Sequence, residues 1–198
     1  MVAAGEPHHS GAGETGVTLC APHVVHGGEL WRLTRDSKVL DVNSSYAYLL
    51  WCHDFADTSV VALDGGRVVG FVTGYLRPTS LDTVMVWQVA VDASQRGRGL
   101  ASRMLHHLLD RLAPQGVRWL HTTISPDNEA SIRLFTGAAR DRGAAIERRD
   151  LFGVHHFPAE DGPGHEPEDL YVIGPLAAAH PRPGDGDSTI DPPRTEQP

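Results

Sequence analysis

Apolar and polar positions along the chain switch between two periods, and the switches outline its elements. The run TVMVWQVAV, Thr83–Val91, is apolar on both faces, as a strand covered on both sides should be. From Gly99 to Leu112 the period becomes helical. Leu100, Met104, Leu105, Leu108 and Leu109 form one stripe, with Arg103, His106, Asp110 and Arg111 on the opposite side. The same reading predicts a short strand at Thr18–Ala21 and a helix over Gly28–Ser37 with Leu30 and Leu33 inward. A second helix is predicted over Ser44–Phe55, capped by Ser44 or Ser45. Ser59–Leu63 and Arg67–Tyr75 flank Asp64-Gly65-Gly66, a hairpin signal. Trp119–Ile124 predicts another strand, Pro126–Phe135 starts a helix with Ser125 or Asp127 near its cap, and Leu170–Leu176 closes the sheet. Between them, Gly137–Asp169 is rich in Gly, Pro, His and charge, which predicts a long loop or active-site flap with one short strand.

The 198 residues suit one domain. Both ends are polar and rich in Gly and Pro, so 1–16 and 180–198 read as disordered tails around a domain at 17–179. Net charge is −8. Each tail carries −2 of it (Glu6 and Glu14; Asp185, Asp187, Asp191 and Glu196 against Arg182 and Arg194), which leaves −4 for the middle. Such a surface argues against a nucleic-acid binder, which needs a basic face. No apolar run is long enough to span a membrane, and the N-terminus has neither the basic start nor the apolar stretch of a secretory signal. Cys20 and Cys52 lack metal-type spacing and read as buried, reduced thiols. A cytoplasmic protein is expected. The adjacent pairs His8-His9, His106-His107 and His155-His156 offer no i,i+4 pair with a further ligand, so no metal site is expected.

The chemistry lies where the central strand meets the helix after it. Arg96-Gly97-Arg98-Gly99-Leu100-Ala101 is a basic glycine loop that opens a helix. Small residues let backbone N–H groups approach an anion, and the helix adds its unpaired N–H groups and positive dipole end. A pyrophosphate fits such a loop. The dinucleotide fingerprint would place G-x-G-x-x-G near the first strand with an acid about twenty residues on, and the P-loop needs G-x-x-x-x-G-K-[ST]; neither is present.

Arg96–Ala101 instead resembles the coenzyme A loop of the GNAT acyltransferases, whose pattern is Gln/Arg-x-x-Gly-x-Gly/Ala. Asp127-Asn128-Glu129-Ala130-Ser131 is similar to the second cofactor-contacting segment of that superfamily, and the order of elements matches too. The resemblance implies an α+β fold, with a mixed, mostly antiparallel central sheet flanked by helices and acetyl-CoA as cosubstrate. It implies that Val89, Val91, Arg96, Gly97, Arg98, Gly99, Leu100, Ala101 and Asn128 contact the cofactor. In that fold the central strand diverges from its neighbour, the pantetheine arm pairs with its free edge, and the backbone near Val89 polarises the thioester carbonyl.

Longer segments resemble one family more closely. Leu40–Leu50 (LDVNSSYAYLL), Asp54–Thr58, Gly70–Tyr75, Val86–Val91 (VWQVAV) and His165–Glu168 are similar to the L-2,4-diaminobutyrate acetyltransferases of ectoine biosynthesis. This resemblance spans roughly 17–177 and implies acetyl transfer to the 4-amino group of L-2,4-diaminobutyrate, by a homodimer of the cytoplasm serving osmoadaptation. The substrate has two amines and a carboxylate. Asp41 and Glu168 can accept from an ammonium, Tyr46 and His165 can donate to a carboxylate, and Trp87 and Val89 lie at the expected reaction point. Glu168 and Asp41 are the candidates for the group that takes the amine's proton, and each can equally serve as an anchor. Phe135 stands where many superfamily members carry a tyrosine that protonates the leaving thiolate. Acetylation of another small amine, or binding of acyl-CoA by a non-catalytic regulator, are the rival functions.

Overall fold

The computed structural model describes residues 16–38, 40–158 and 164–177. Apart from Gly16, the expected tails at 1–16 and 180–198 lie outside the described residues. Seven strands form one sheet: β1 (Thr18–Cys20), β2 (Val60–Asp64), β3 (Arg67–Arg77), β4 (Ser80–Val91), β5 (Trp119–Ile124), β6 (Ala145–Phe152) and β7 (Glu168–Gly174). Their order is β1-β2-β3-β4-β5-β7-β6. Every pairing is antiparallel except β4 with β5. Four α-helices are described: α1 (Gly27–Ser37), α2 (Ser45–His53), α3 (Leu100–Leu112) and α4 (Glu129–Asp141). The expected α+β architecture is therefore present. Among the described residues no helix is long and apolar enough to cross a membrane.

The core follows the helical stripes. Leu100, Met104, Leu105, Leu108, Leu109 and Leu112 of α3 are all buried and pack with Val60, Val69, Val84 and Val86 of the sheet. A second cluster joins Leu30 of α1 and Tyr48 and Cys52 of α2 to Val61, Phe71 and Ala90. Gly65 and Gly66 both adopt positive φ, as a tight hairpin between β2 and β3 requires.

One irregularity shapes everything downstream. Thr73 pairs with Gln88 and Gly74 with Val86, so Trp87 is an extra, unpaired residue in β4. This is a β-bulge, and it changes the parity of the strand. Val84 and Val86 face the α3 core before it, and Val89 and Val91 face that core after it. Side chains satisfy the backbone around the bulge: Thr58 Oγ1 donates to the Gly74 carbonyl at 2.6 Å, Gly74 N donates to Ser59 Oγ at 3.3 Å, and Gln88 N donates to Thr73 Oγ1 at 3.2 Å. A Cβ on Gly74 would sit 2.8 Å from the Met85 carbonyl oxygen and 3.0 Å from that of Thr58, both backbone atoms that cannot swing away. Gly74→Ala is expected to destabilise the fold by about 1–3 kcal/mol, a drop in Tm of roughly 3–10 °C in thermal unfolding followed by circular dichroism. An unchanged Tm would show that the bulge tolerates a side chain.

Two expectations are corrected. Gly137–Asp169 is not mainly loop. The helix that begins after Pro126 continues to Asp141, and Ala145–Phe152 is an eight-residue strand. That strand lies at the sheet edge with nearly all its residues exposed, so no apolar alternation marks it and its pairing with β7 alone makes it a strand. The cap of α4 is Asn128, whose side chain accepts from Ser131 N, rather than Ser125 or Asp127.

Candidate active site

β4 and β5 pair only from Thr83–Trp119 to Val86–Thr122, then part at the bulge. Gln88 N and Asp92 N both point toward β3, to Thr73 Oγ1 and the Val69 carbonyl. Backbone groups alternate sides along a strand, so the N–H groups of Val89 and Val91 face the gap. Two clefts meet there, and Leu40, Val89 and Ser131 line both.

The smaller cleft, about 400 Å³, runs between Val89 and Val91 on one side and Ala130 and Leu134 of α4 on the other, toward Arg96 and Ala101. Gly97 and Gly99 have φ of 73° and 70°, which turn the chain sharply into α3. Gly99 is the N-cap and supplies no side-chain acceptor, whereas α2 and α4 are capped by Ser44 and Asn128. The first N–H groups of α3 are thus left for a ligand, next to Arg96 and Arg98. Gly97, Arg98 and Gly99 are exposed beside the cleft. The Leu100 side chain is buried in the core, so only its backbone can serve an anion.

The larger cleft, about 530 Å³, gathers Asp41, Trp87, Val89, Asn128, His165 and Glu168. The bulge directs Trp87 toward α2, where it stacks on Trp51 with ring centroids 4.9 Å apart. Glu168 is half-buried, and loss of solvent raises its carboxyl above the ordinary carboxylate range despite a hydrogen bond from Thr123 and the nearby His165. His165 Nδ1 lies 2.6 Å from the Glu166 carbonyl oxygen, which can only accept, so Nδ1 carries a proton. Its Nε2 faces Asp41 Oδ2 at 3.5 Å. The carbonyl of Glu166 first, and then the Asp41 carboxylate, raise the imidazole, which holds its positive charge to higher pH. Phe157 stacks on the ring, centroids 3.8 Å apart and nearly parallel. Asp41 is itself a largely exposed carboxylate at the cleft mouth, with 86% of its side chain accessible. One end of the cleft therefore offers two carboxyl groups and an imidazole, and the other an apolar wall.

Tyr46 is not brought into this group. It starts α2, is 65% exposed and lines neither cleft. Sequence reasoning missed Gln88, Thr123 and Phe157. Gln88 carried a signal, as a polar side chain inside a buried strand; Phe157 and Thr123 carried none. Phe135 is buried and lines the larger cleft, so the wall carries no hydroxyl at that position.

Residues 29–138 match the model of the acetyltransferase (GNAT) family. The chain is 58% identical over 169 residues to the L-2,4-diaminobutyric acid acetyltransferase of Streptomyces coelicolor, covering 84% of this chain and 98% of that one. It is 57% identical to the enzyme of the same name from Nocardia farcinica, covering 80% of each. The chain belongs to the L-2,4-diaminobutyric acid acetyltransferases of the GNAT family. A solved diaminobutyrate acetyltransferase from Paenibacillus lautus, in complex with its substrate L-2,4-diaminobutyric acid and coenzyme A, is 42% identical. It superposes with a TM-score of 0.77 over 81% of this chain and 96% of that one. For a diaminobutyric acid acetyltransferase, the two clefts have matching chemistry: a narrow one with an anion end, and a wider one with paired acids. Asn128 commits its side-chain oxygen to the cap of α4, so its amide N–H group is what it can offer a ligand.

Proposed function

We propose that this protein transfers the acetyl group of acetyl-CoA to the 4-amino group of L-2,4-diaminobutyrate, giving N4-acetyl-L-2,4-diaminobutyrate and coenzyme A in ectoine biosynthesis. The observation that carries this reading is the 58% identity along nearly the whole of a diaminobutyric acid acetyltransferase. The joined clefts support it. Arg96, Arg98 and the start of α3 hold the cosubstrate's diphosphate, and the Val89 and Val91 N–H groups pair with its pantetheine amides. The thioester supplies an activated acetyl group, and the Val89 N–H polarises its carbonyl.

Asp41 and Glu168 take the ammonium groups of the amino acid, His165 its carboxylate, and Trp87 its short carbon chain. A free amine is largely protonated at neutral pH, so attack requires a base. Glu168 fills that role better than Asp41. It is half-buried and its proton affinity is raised toward that of an amine, whereas Asp41 is an exposed anchor. Thiolate leaves without help from Phe135, which has no proton to give. The enzyme works in the cytoplasm as a homodimer, the commonest closed symmetry, and its product serves osmoadaptation.

The test is thiol release from acetyl-CoA with L-2,4-diaminobutyrate beside ornithine, lysine and spermidine. Selective release with diaminobutyrate, with the product acetylated at the 4-amino group, is expected. Preference for another amine would overturn the substrate, and no release despite coenzyme A binding would favour a regulator. Trp87→Ala and Asp41→Ala are each expected to lower kcat/KM for diaminobutyrate by about 10–100-fold, as for a lost wall or a lost charge-assisted contact, with KM for acetyl-CoA unchanged. Normal kinetics in both variants would remove the pocket assignment.

A further inference from the structure

The bulge places two neighbouring side chains on the same side of β4, and they do different things. Trp87 lines the larger cleft. Gln88 turns its carboxamide into a buried chain of hydrogen bonds. Tyr48 of α2, with no accessible surface, donates its hydroxyl to Gln88 Oε1 at 3.2 Å. Gln88 Nε2 donates onward to the backbone carbonyl of Asp41 at 3.0 Å. The Gln88 backbone is itself tied to Thr73, by N donating to Thr73 Oγ1 at 3.2 Å and by that hydroxyl reaching the Gln88 carbonyl at 3.4 Å. Gln88 is 6% exposed.

Asp41 has little else to hold it. It lies between α1 and α2, its carboxylate is largely exposed, and its carbonyl has one further contact, from Asn43 Nδ2 at 3.5 Å. A surface carboxylate on a loop samples many positions and binds weakly, because ordering it costs conformational entropy at the moment of binding. A buried amide that grips the backbone at that very residue removes much of this cost in advance. The grip is directional: the Asp41 carbonyl can only accept, so the amide presents Nε2 to it and Oε1 to the Tyr48 hydroxyl, and a flip would set two carbonyl oxygens against each other.

We propose that Gln88, oriented by Tyr48, is a positioning residue that fixes Asp41 opposite His165 and so sets the affinity for the amino-acid substrate. The proposal rests on the reading of Asp41 as a substrate anchor. It explains why a buried strand spends a polar side chain at the bulge: the same extra residue that opens the cleft also lets the strand reach the α1–α2 loop. Gln88 acts through the Asp41 backbone, so its removal changes substrate binding more than turnover.

The experiment is a double-mutant cycle read as KM and kcat. Gln88→Met keeps the volume and removes both hydrogen bonds. It is expected to raise KM for diaminobutyrate about tenfold, the effect of roughly one buried hydrogen bond, with kcat and KM for acetyl-CoA within about twofold of the parent. In an Asp41→Ala background the same change is expected to add less than about twofold, because coupled residues are not additive. Tyr48→Phe is expected to act the same way at about threefold, since it loosens Gln88 without removing it. It carries the cycle if Gln88→Met fails to fold. A full tenfold effect that persists without the Asp41 carboxylate would overturn the proposal, as would an equal rise in KM for acetyl-CoA or an unchanged KM for diaminobutyrate. Should Asp41→Ala alone leave KM for diaminobutyrate unchanged, the anchor reading fails and the positioning role falls with it. A strong Asp41→Ala effect with a silent Gln88→Met leaves the anchor standing and removes only the positioning role.

Discussion

Glu168→Gln is expected to lower kcat by about 10²–10⁴-fold, the range lost with a general base, while KM for acetyl-CoA stays the same. Glutamine keeps the size and half-burial of the side chain and can still accept from Thr123, so the pocket retains its shape. What it loses is the ability to take a proton from the attacking ammonium. Burial matters to this argument in sign as well as size. Desolvation raises the Glu168 carboxyl, and a base with higher proton affinity is better matched to an amine. The neighbouring Thr123 hydroxyl and His165 oppose that shift in part. The defect is expected to shrink as pH rises, because bulk solvent then supplies more of the free amine. Steady-state kinetics across pH is the measurement. A normal kcat with a raised KM for diaminobutyrate would make Glu168 an ammonium anchor and return the base to Asp41 or to solvent.

Ala101→Glu should weaken acetyl-CoA about 100-fold in KM, as for a like charge set against an anion at a cost of ~3 kcal/mol. Ala101 lines the smaller cleft with Arg96, within the first turn of α3. The variant separates two effects of one charge. A carboxylate in the first turn favours the helix itself, through the dipole and the unpaired N–H groups. The same carboxylate competes with a diphosphate for those groups. Tm is therefore expected to hold or rise while acetyl-CoA binding, measured by calorimetry, is lost. A fall in Tm alongside the binding loss would point to a folding defect, and unchanged affinity would move the diphosphate away from α3.

Three signals in the sequence were local. The Leu100–Leu109 stripe, the Asp64-Gly65-Gly66 turn and the glycine loop are each contained within a few residues, so the chain displays them directly. The family-specific segments were legible for the same reason, as continuous strings. The bulge was not. In a strand apolar on both faces, an extra residue leaves no trace in the alternation, and only the register against Thr73 and Gly74 reveals it. β6 was expected only as one short strand somewhere in Gly137–Asp169, and it could not be placed because its residues face solvent on an edge and carry no apolar pattern. Tyr46 sits in one of the most specific strings, yet its position at the start of α2 turns it outward.

Helix placement, the hairpin, the glycine turn before α3 and the family were properties of short stretches of chain, decided by periodicity, glycine conformation and local identity. The working site was decided by contacts between stretches far apart. Asp41 meets His165, Gln88 reaches both Tyr48 and Asp41, and Glu168 differs from Asp41 because one is half-buried and the other exposed. Burial and charge proximity are collective quantities. They exist only once the sheet has closed, and they place two chemically similar acids in different surroundings.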